Sequence, residues 1–328
     1  MNQEKIKELE NIIKSDYNNI AGIMVQKNGV NLYEKYFNGF TADNAFHVFS
    51  VTKSIFSALV GIAVDKGYIK NTDQRVMDFF PDYKVIPGEK TVYDVTIKHL
   101  LTMTAPYKTE MEPYEKFFSS ENWLEFALGL LGGEKPAGEF VYSPIVGTHI
   151  LSGILAKATG QPILDFASEH LFTPLGIEIK ENVVLATKEE HIAFGMRDTH
   201  TRGWVVDPQG LNTASWGLTL TLTDLGKIGS LYLGGGIKDG KQIIPAGWIE
   251  ESTREQSRWN ELSYGYLWWI IDNQAHIYAA LGDGGNALYI NEKNKMVVAV
   301  ASLFRPEVKD RVEFITEVIE PMFEEEQG

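Results

Sequence analysis

Residues 45–64, AFHVFSVTKSIFSALVGIAV, constrain this chain more than any other stretch, because Lys53 is their only side chain ionised at neutral pH. A run this long and this weakly charged either crosses a bilayer or lies inside a folded core. Five Ser, Thr or His residues interrupt it besides the lysine, and a lysine at the centre of a span costs about 2.5–3.5 kcal/mol. The run therefore predicts a buried helix over about residues 50–66, stopped near Gly67, and no membrane partner. Such a helix needs a large core to cover it. A chain of 328 residues supplies that as one large or two modest domains.

The flanking patterns say what kind of core. Residues 20–37 form two β-leaning runs around Asn28-Gly29, the dipeptide that favours a type I′ hairpin. From residue 67 to about 200 the periodicity is helical, at 95–104, 121–131, 146–160 and 162–176, with Gly160 and Gly176 as stops. A further helix is expected over 223–233 with Thr223 as N-cap. Residues 263–272, 276–282, 286–291 and 296–302 read as four strands of an antiparallel meander. Ile6, Leu9, Ile12 and Ile13 place a surface helix at the start of the chain, and an amphipathic helix is expected near 308–323.

Strands at both ends and helices between them predict an α+β, sandwich-like fold. A mixed, mainly antiparallel sheet is flanked by helices and carries an inserted, mostly helical region. The expected division is 1–66 with 205–328 for the sheet domain, and 67–204 for the insertion.

The formal charge of −14 argues against nucleic acid, whose affinity rests on clustered Lys and Arg. The absence of cysteine excludes a disulfide scaffold, a zinc ribbon, an iron–sulfur cluster and a cysteine nucleophile. The seven histidines show no H-E-x-x-H or close ligand pairing, so no metal and no cofactor is expected. The charged first residues have no signal-peptide character, which makes the cytoplasm the expected compartment. Oligomeric state is not legible. GDGGNA (282–287) and GGIKDGKQ (235–242) read as glycine-rich turns, since neither has the strand-then-helix context of a nucleotide loop.

The chemistry sits in the buried helix. Lysine is almost never fully buried without a partner, so Lys53 either reaches water by its stem or has a depressed pKa and acts as a base. Ser50 precedes it by three residues, on the same helix face. At the helix N-terminus, free N–H groups and the positive dipole end favour an oxyanion and disfavour a charged ammonium. About one S-x-x-K is expected by chance in a chain with 15 serines and 23 lysines. The residues alone leave a catalytic and a structural reading open.

FHVFSVTKSIFSALVGIAVDKGYI, VTIKHLLTMTAP, PAGEFVYSPIVGTHILSGILAKATG, ASWGLTLTLTDLGKIGSLYLGGG and YGYLWWI follow one another in the order of a known family. Together they resemble the penicillin-recognising serine hydrolases, in particular the class C β-lactamase-like branch of esterases, D-amino-acid peptidases and 6-aminohexanoate-dimer hydrolases. The resemblance implies a β-lactamase/transpeptidase-like fold. It implies Ser50 as the acylated nucleophile, Lys53 as its proton acceptor or the group that tunes the tyrosine, and Tyr142 as second general base or acid. A tyrosinate beside Lys53 would ease the charge of each. The oxyanion hole would use the backbone N–H of Ser50 and one from 280–284, assigned to Asp283.

Two departures from the family pattern narrow the chemistry. Tyr-x-Asn is here Tyr142-Ser143-Pro144, so the side chain that would bind a substrate amide is missing. The Lys- or His-containing third motif is here Ala280-Leu281-Gly282, with no basic group for a substrate carboxylate. Neither S-D-N nor K-T-G occurs. These losses count against β-lactams and leave hydrolysis of a small ester or amide as the expected activity. A D-amino-acid peptidase or β-lactamase, and a non-catalytic ligand-binding descendant, are the alternatives. Tyr107, Trp216, Trp268, Gly282 and Gly284 are the expected pocket residues, and Trp204, Trp259 and Trp269 are further aromatic candidates.

Overall fold

The structure is a computed structural model that describes residues 3–196 and 198–324. Asn28 and Gly29 take positive φ of 53° and 77°, the type I′ geometry whose twist matches its strands. Ile20–Lys27 pairs antiparallel with Val30–Tyr36 on one side and with Met296–Ser302 on the other. From there the sheet continues through Asn286–Asn291, Ile277–Gly282, Trp269–Asp272, Leu262–Tyr264 and Ser257–Trp259, antiparallel at every step. The two ends of the chain thus meet inside one eight-stranded sheet.

Side-chain alternation assigns the sheet two cores. Val298 and Val300 pack with Leu9, Ile13, Phe314 and Ile319 beneath the terminal helices. Val297, Ala299 and Ala301 face Leu59, Leu225 and Ile228 of the helices Val51–Asp65 and Leu222–Leu233. With both faces covered, every residue of Met296–Ser302 is buried, which explains its unbroken apolar run. Between the two sheet segments run the helices Trp123–Leu130, Val146–Thr159 and Ile163–Ala167, with Gly160 and Gly176 in the left-handed region.

The weakly charged stretch around Lys53 forms a short strand, Ala45–His47, a turn, and the helix Val51–Asp65, buried at every residue from Val51 to Ala63. Among the described residues no helix is long and apolar enough to cross a membrane. Ala45–His47 pairs with Thr219–Thr221, which anchors the chain just before Ser50.

Two expectations need correction. The helix expected over 223–233 is Leu222–Leu233 and its N-cap is Thr221, not Thr223. Asp224 decides between the two threonines: its N–H donates to Thr221 Oγ1 and its carboxylate accepts from the Thr221 N–H, a reciprocal capping box. Residues 263–272 are two strands rather than one. Leu267 takes φ 62° and the Gly265 N–H donates to the Trp268 carbonyl at 2.9 Å, which turns the chain back on itself.

Candidate active site

The site is built at the turn into the Val51–Asp65 helix. Phe49 takes φ 47°, a left-handed conformation that costs a residue bearing a Cβ about 1–3 kcal/mol. Its ring lies against His47 and Phe304, with centroids 4.0 and 5.5 Å away. Its carbonyl accepts from Thr52 Oγ1 at 2.7 Å. These contacts hold the strained residue and set Ser50 at the N-cap. The Ser50 hydroxyl makes no capping bond; instead Oγ accepts from Lys53 Nζ at 2.7 Å. The Ser50 N–H donates to no group among the described residues.

Lys53 is 3% exposed. Among the described residues it has one acceptor besides Ser50, the Ser215 carbonyl at 3.3 Å, and no carboxylate in contact. Burial lowers its amine to about 8, against the opposing pull of Asp283 and Glu112. The Ser215 segment is held in turn by His47, whose Nε2 accepts the Gly217 N–H at 2.8 Å. Burial lowers His47 to about 3, so it is a neutral acceptor with its proton on Nδ1.

Gly282 ends the strand that abuts this turn. A Cβ there would lie 2.4 Å from the Val48 carbonyl oxygen and 3.3 Å from the Ser50 nitrogen. Only a residue without a side chain lets the strand end approach the Ser50 backbone this closely. Asp283 follows directly, and its charge acts on both Lys53 and Tyr142.

Tyr142 stands across the cleft, 38% exposed, stacked on Phe140 at 6.4 Å and tilted against Trp269 at 5.9 Å. Burial first, then Asp283, Tyr114 and Glu112, hold its hydroxyl above the usual tyrosine range. Among the described residues no hydrogen bond joins it to Ser50 or Lys53. The structure therefore brings Ser50, Lys53 and Gly282 into contact. Among the described residues it shows no hydrogen bond between Tyr142 and the lysine, the partnership the resemblance implied.

One of the carboxylates acting on Tyr142, Glu112, was not singled out in the sequence. Its Oε1 accepts from Ser143 Oγ at 2.6 Å and from the Ile145 and Val146 N–H groups at 3.3 and 3.4 Å. It thereby ties its loop to the start of the Val146–Thr159 helix. His47 and Ser215 were missed likewise. Both lie in segments that carry the family resemblance, but their roles depend on contacts across the fold.

The pocket candidates divide. Tyr107 borders a gap beside Glu112 and Tyr142. Trp216 is half-buried, edge-on to His47 and Phe118 at 5.9 and 5.8 Å. Phe118 in turn lines a cavity of about 740 Å³ with Tyr114, Leu185 and His191. Gly282 and Gly284 line a separate hollow of about 320 Å³ bounded by Phe304 and Arg311. Trp268 must be withdrawn: it is fully buried against Tyr232 and Tyr278. Trp204 is equally buried, between Phe56 and Phe172. Both belong to the main hydrophobic core.

An antiparallel sheet covered by helices on both faces, with a helical region inserted between its two segments, is a fold of the β-lactamase type. A beta-lactamase family profile matches residues 14–317, and the chain belongs to that family. It is 24% identical over 295 residues to the 6-aminohexanoate-dimer hydrolase of Paenarthrobacter ureafaciens, which covers 83% of this chain and 69% of that protein. Two solved structures share the fold. A class C beta-lactamase superposes with TM-score 0.72 at 18% identity, over 99% of this chain and 96% of its own. A family VIII carboxylesterase superposes with TM-score 0.69 at 15% identity, over 98% and 97%.

Proposed function

We propose that this protein hydrolyses small esters, and amides of similar size, through an acyl-enzyme at Ser50. The observation that carries the reading is the 2.7 Å contact between Lys53 Nζ and Ser50 Oγ beside a free Ser50 N–H. Neutral Lys53 takes the Ser50 hydroxyl proton as Oγ attacks the carbonyl carbon. The oxyanion that forms is held by the N–H groups of Ser50 and Asp283. On collapse the bond to the leaving group breaks, and the leaving group takes its proton from Lys53 or Tyr142. Water then attacks the ester at Ser50, with Tyr142 or Lys53 accepting its proton; the acyl bond to Ser50 Oγ breaks, Oγ takes that proton back, and the acid is released. The departures from the family pattern at Pro144 and Ala280 support simple esters over β-lactams.

The test is a fluorophosphonate probe and a chromogenic short-chain ester, with mass mapping of the labelled residue and nitrocefin alongside. Labelling at Ser50, ester turnover abolished in Ser50→Ala, and little or no nitrocefin turnover are expected. Unchanged labelling in Ser50→Ala would sink the assignment. Ligand binding without turnover across esters and amides would make the chain a binding descendant of the family instead.

A further inference from the structure

Three successive carbonyls in the turn after the strand Ile277–Gly282 are each held by a buried side chain. The Asp283 carbonyl accepts from Asn286 Nδ2 at 2.9 Å, the Gly284 carbonyl from Asn19 Nδ2 at 2.7 Å, and the Gly285 carbonyl from Ser302 Oγ at 3.1 Å. Asn19, Asn286 and Ser302 are all buried. Asn286 opens one strand of the sheet, Ser302 ends the next, and Asn19 directly precedes Ile20–Lys27. A surface turn can leave its carbonyls to water. Pinning all three from the protein side fixes the peptide planes that follow Asp283.

Asn19 reaches further than the other two. Its Nδ2 also donates to the Leu303 carbonyl at 2.8 Å, and its own carbonyl accepts the Leu303 N–H at 2.9 Å. Phe304 comes next, and its ring lies against Phe49, the strained residue that sets Ser50. One side chain thus bridges the turn that carries the Asp283 N–H and the segment that backs Ser50. Arg311 decides which way the amide faces. A guanidinium only donates, so its Nη2 contact at 2.7 Å takes Oδ1 and leaves Nδ2 for the two carbonyls. Arg311 is buried in turn, and a Cβ at Gly285 would lie 2.7 Å from its Nε.

We propose that Asn19 is a positioning residue for the oxyanion hole, fixing the Asp283 N–H relative to the Ser50 N–H so that both meet one carbonyl oxygen. The role rests on the acyl-enzyme reading above and deepens that same site. The two donors lie on separate segments of chain, and their spacing matters most once the oxygen carries charge. The contribution of Asn19 therefore belongs to the transition state rather than to substrate binding.

Asn19→Asp tests this, because it keeps the size of the side chain and an oxygen for Arg311 but turns both donated bonds into contacts between oxygens. Rates on p-nitrophenyl butyrate are referred to the Ser50 residues that a fluorophosphonate labels to completion, which removes the effect of any misfolded fraction. kcat should fall about tenfold to a hundredfold, as for a displaced catalytic group, with KM little changed. n-Butylboronic acid, whose tetrahedral adduct with Ser50 places an oxygen between the two N–H groups, should lose affinity by a similar factor. A role confined to stability would lower the melting temperature and leave that affinity alone. Wild-type affinity for the boronic acid per labelled site would overturn the proposal, whatever happens to kcat, KM or the melting temperature. If Asn19→Asp does not fold, Ser302→Ala frees only the Gly285 carbonyl of the same turn. Its kcat and boronic acid affinity should fall together several-fold, and wild-type affinity there would equally overturn the proposal. No label at Ser50 in the wild-type protein would instead remove the functional reading beneath it.

Discussion

Lys53 Nζ lies 2.7 Å from Ser50 Oγ and 3.3 Å from the Ser215 carbonyl, and among the described residues it has no carboxylate in contact. A buried ammonium satisfied only by neutral oxygens is held close to its neutral form, the one a proton acceptor needs. The serine is left unencumbered by the same geometry, since its hydroxyl caps nothing and its N–H is free.

Removing the amine tests that relationship directly. Lys53→Met keeps the length and apolar character of the stem in a helix that is buried throughout. Ester turnover should fall by about 10²–10⁴-fold, the usual contribution of a positioned acid or base. Circular dichroism should be unchanged. A folded variant with wild-type kcat would show that Lys53 is structural.

The amine's lowered value sets the pH profile. With Lys53 at about 8, the neutral fraction and therefore kcat/KM should rise from pH 6 to 9 with an inflection near that value. Rates on a neutral ester at constant ionic strength measure it, and a flat profile would remove Lys53 as the base.

Stability should move the same way. The folded amine titrates at about 8 and the ordinary lysine at 10.5. Between these values the unfolded chain binds more protons than the folded one, so stability rises with pH across that window. Below about 8 both states are protonated and the burial penalty is fully present. Urea unfolding at a series of pH values should show this rise in wild type and its absence in Lys53→Met.

Gly282→Ala would place a Cβ 2.4 Å from the Val48 carbonyl oxygen. Backbone must shift, at about 1–3 kcal/mol of stability, and the shift falls on the turn that positions Ser50. Turnover and fluorophosphonate labelling should fall more steeply than the melting temperature. Loss of stability alone, with unchanged labelling rate, would separate this contact from the site.

His47→Phe keeps a ring but leaves the Gly217 N–H without an acceptor, a loss of about 1–3 kcal/mol. The Ser215 carbonyl should then drift from Lys53, the ammonium form should lose a partner, and the inflection in kcat/KM should move to lower pH. His47→Gln, which restores an acceptor, should move it back. An unshifted inflection in His47→Phe would confine His47 to stability.

Much of the architecture was legible because it rests on local pattern. The Asn28-Gly29 hairpin, the stops at Gly160 and Gly176, and the unbroken apolar run at 296–302 each express one backbone or burial requirement. Thr221 and the break at Leu267 were not legible. A capping box and a left-handed turn each select among near-equivalent positions, and the sequence pattern does not rank them. The aromatic residues show the same limit, since Trp216 and Trp268 carry similar signals while one borders the site and the other lies in the core.

What the sequence by itself determined was the pairing of Ser50 with Lys53. Ser50 and Lys53 sit one helical turn apart, and helix geometry alone brings them to the same face. What only the tertiary structure decided was everything that reaches them from elsewhere in the chain. Gly282 arrives at the end of a sheet strand, Ser215 on a segment tethered by His47, and Glu112 on a loop tied to another helix. Their effect on Lys53 and Tyr142 is electrostatic and steric, and both depend on distance through space and on burial, neither of which separation along the chain encodes.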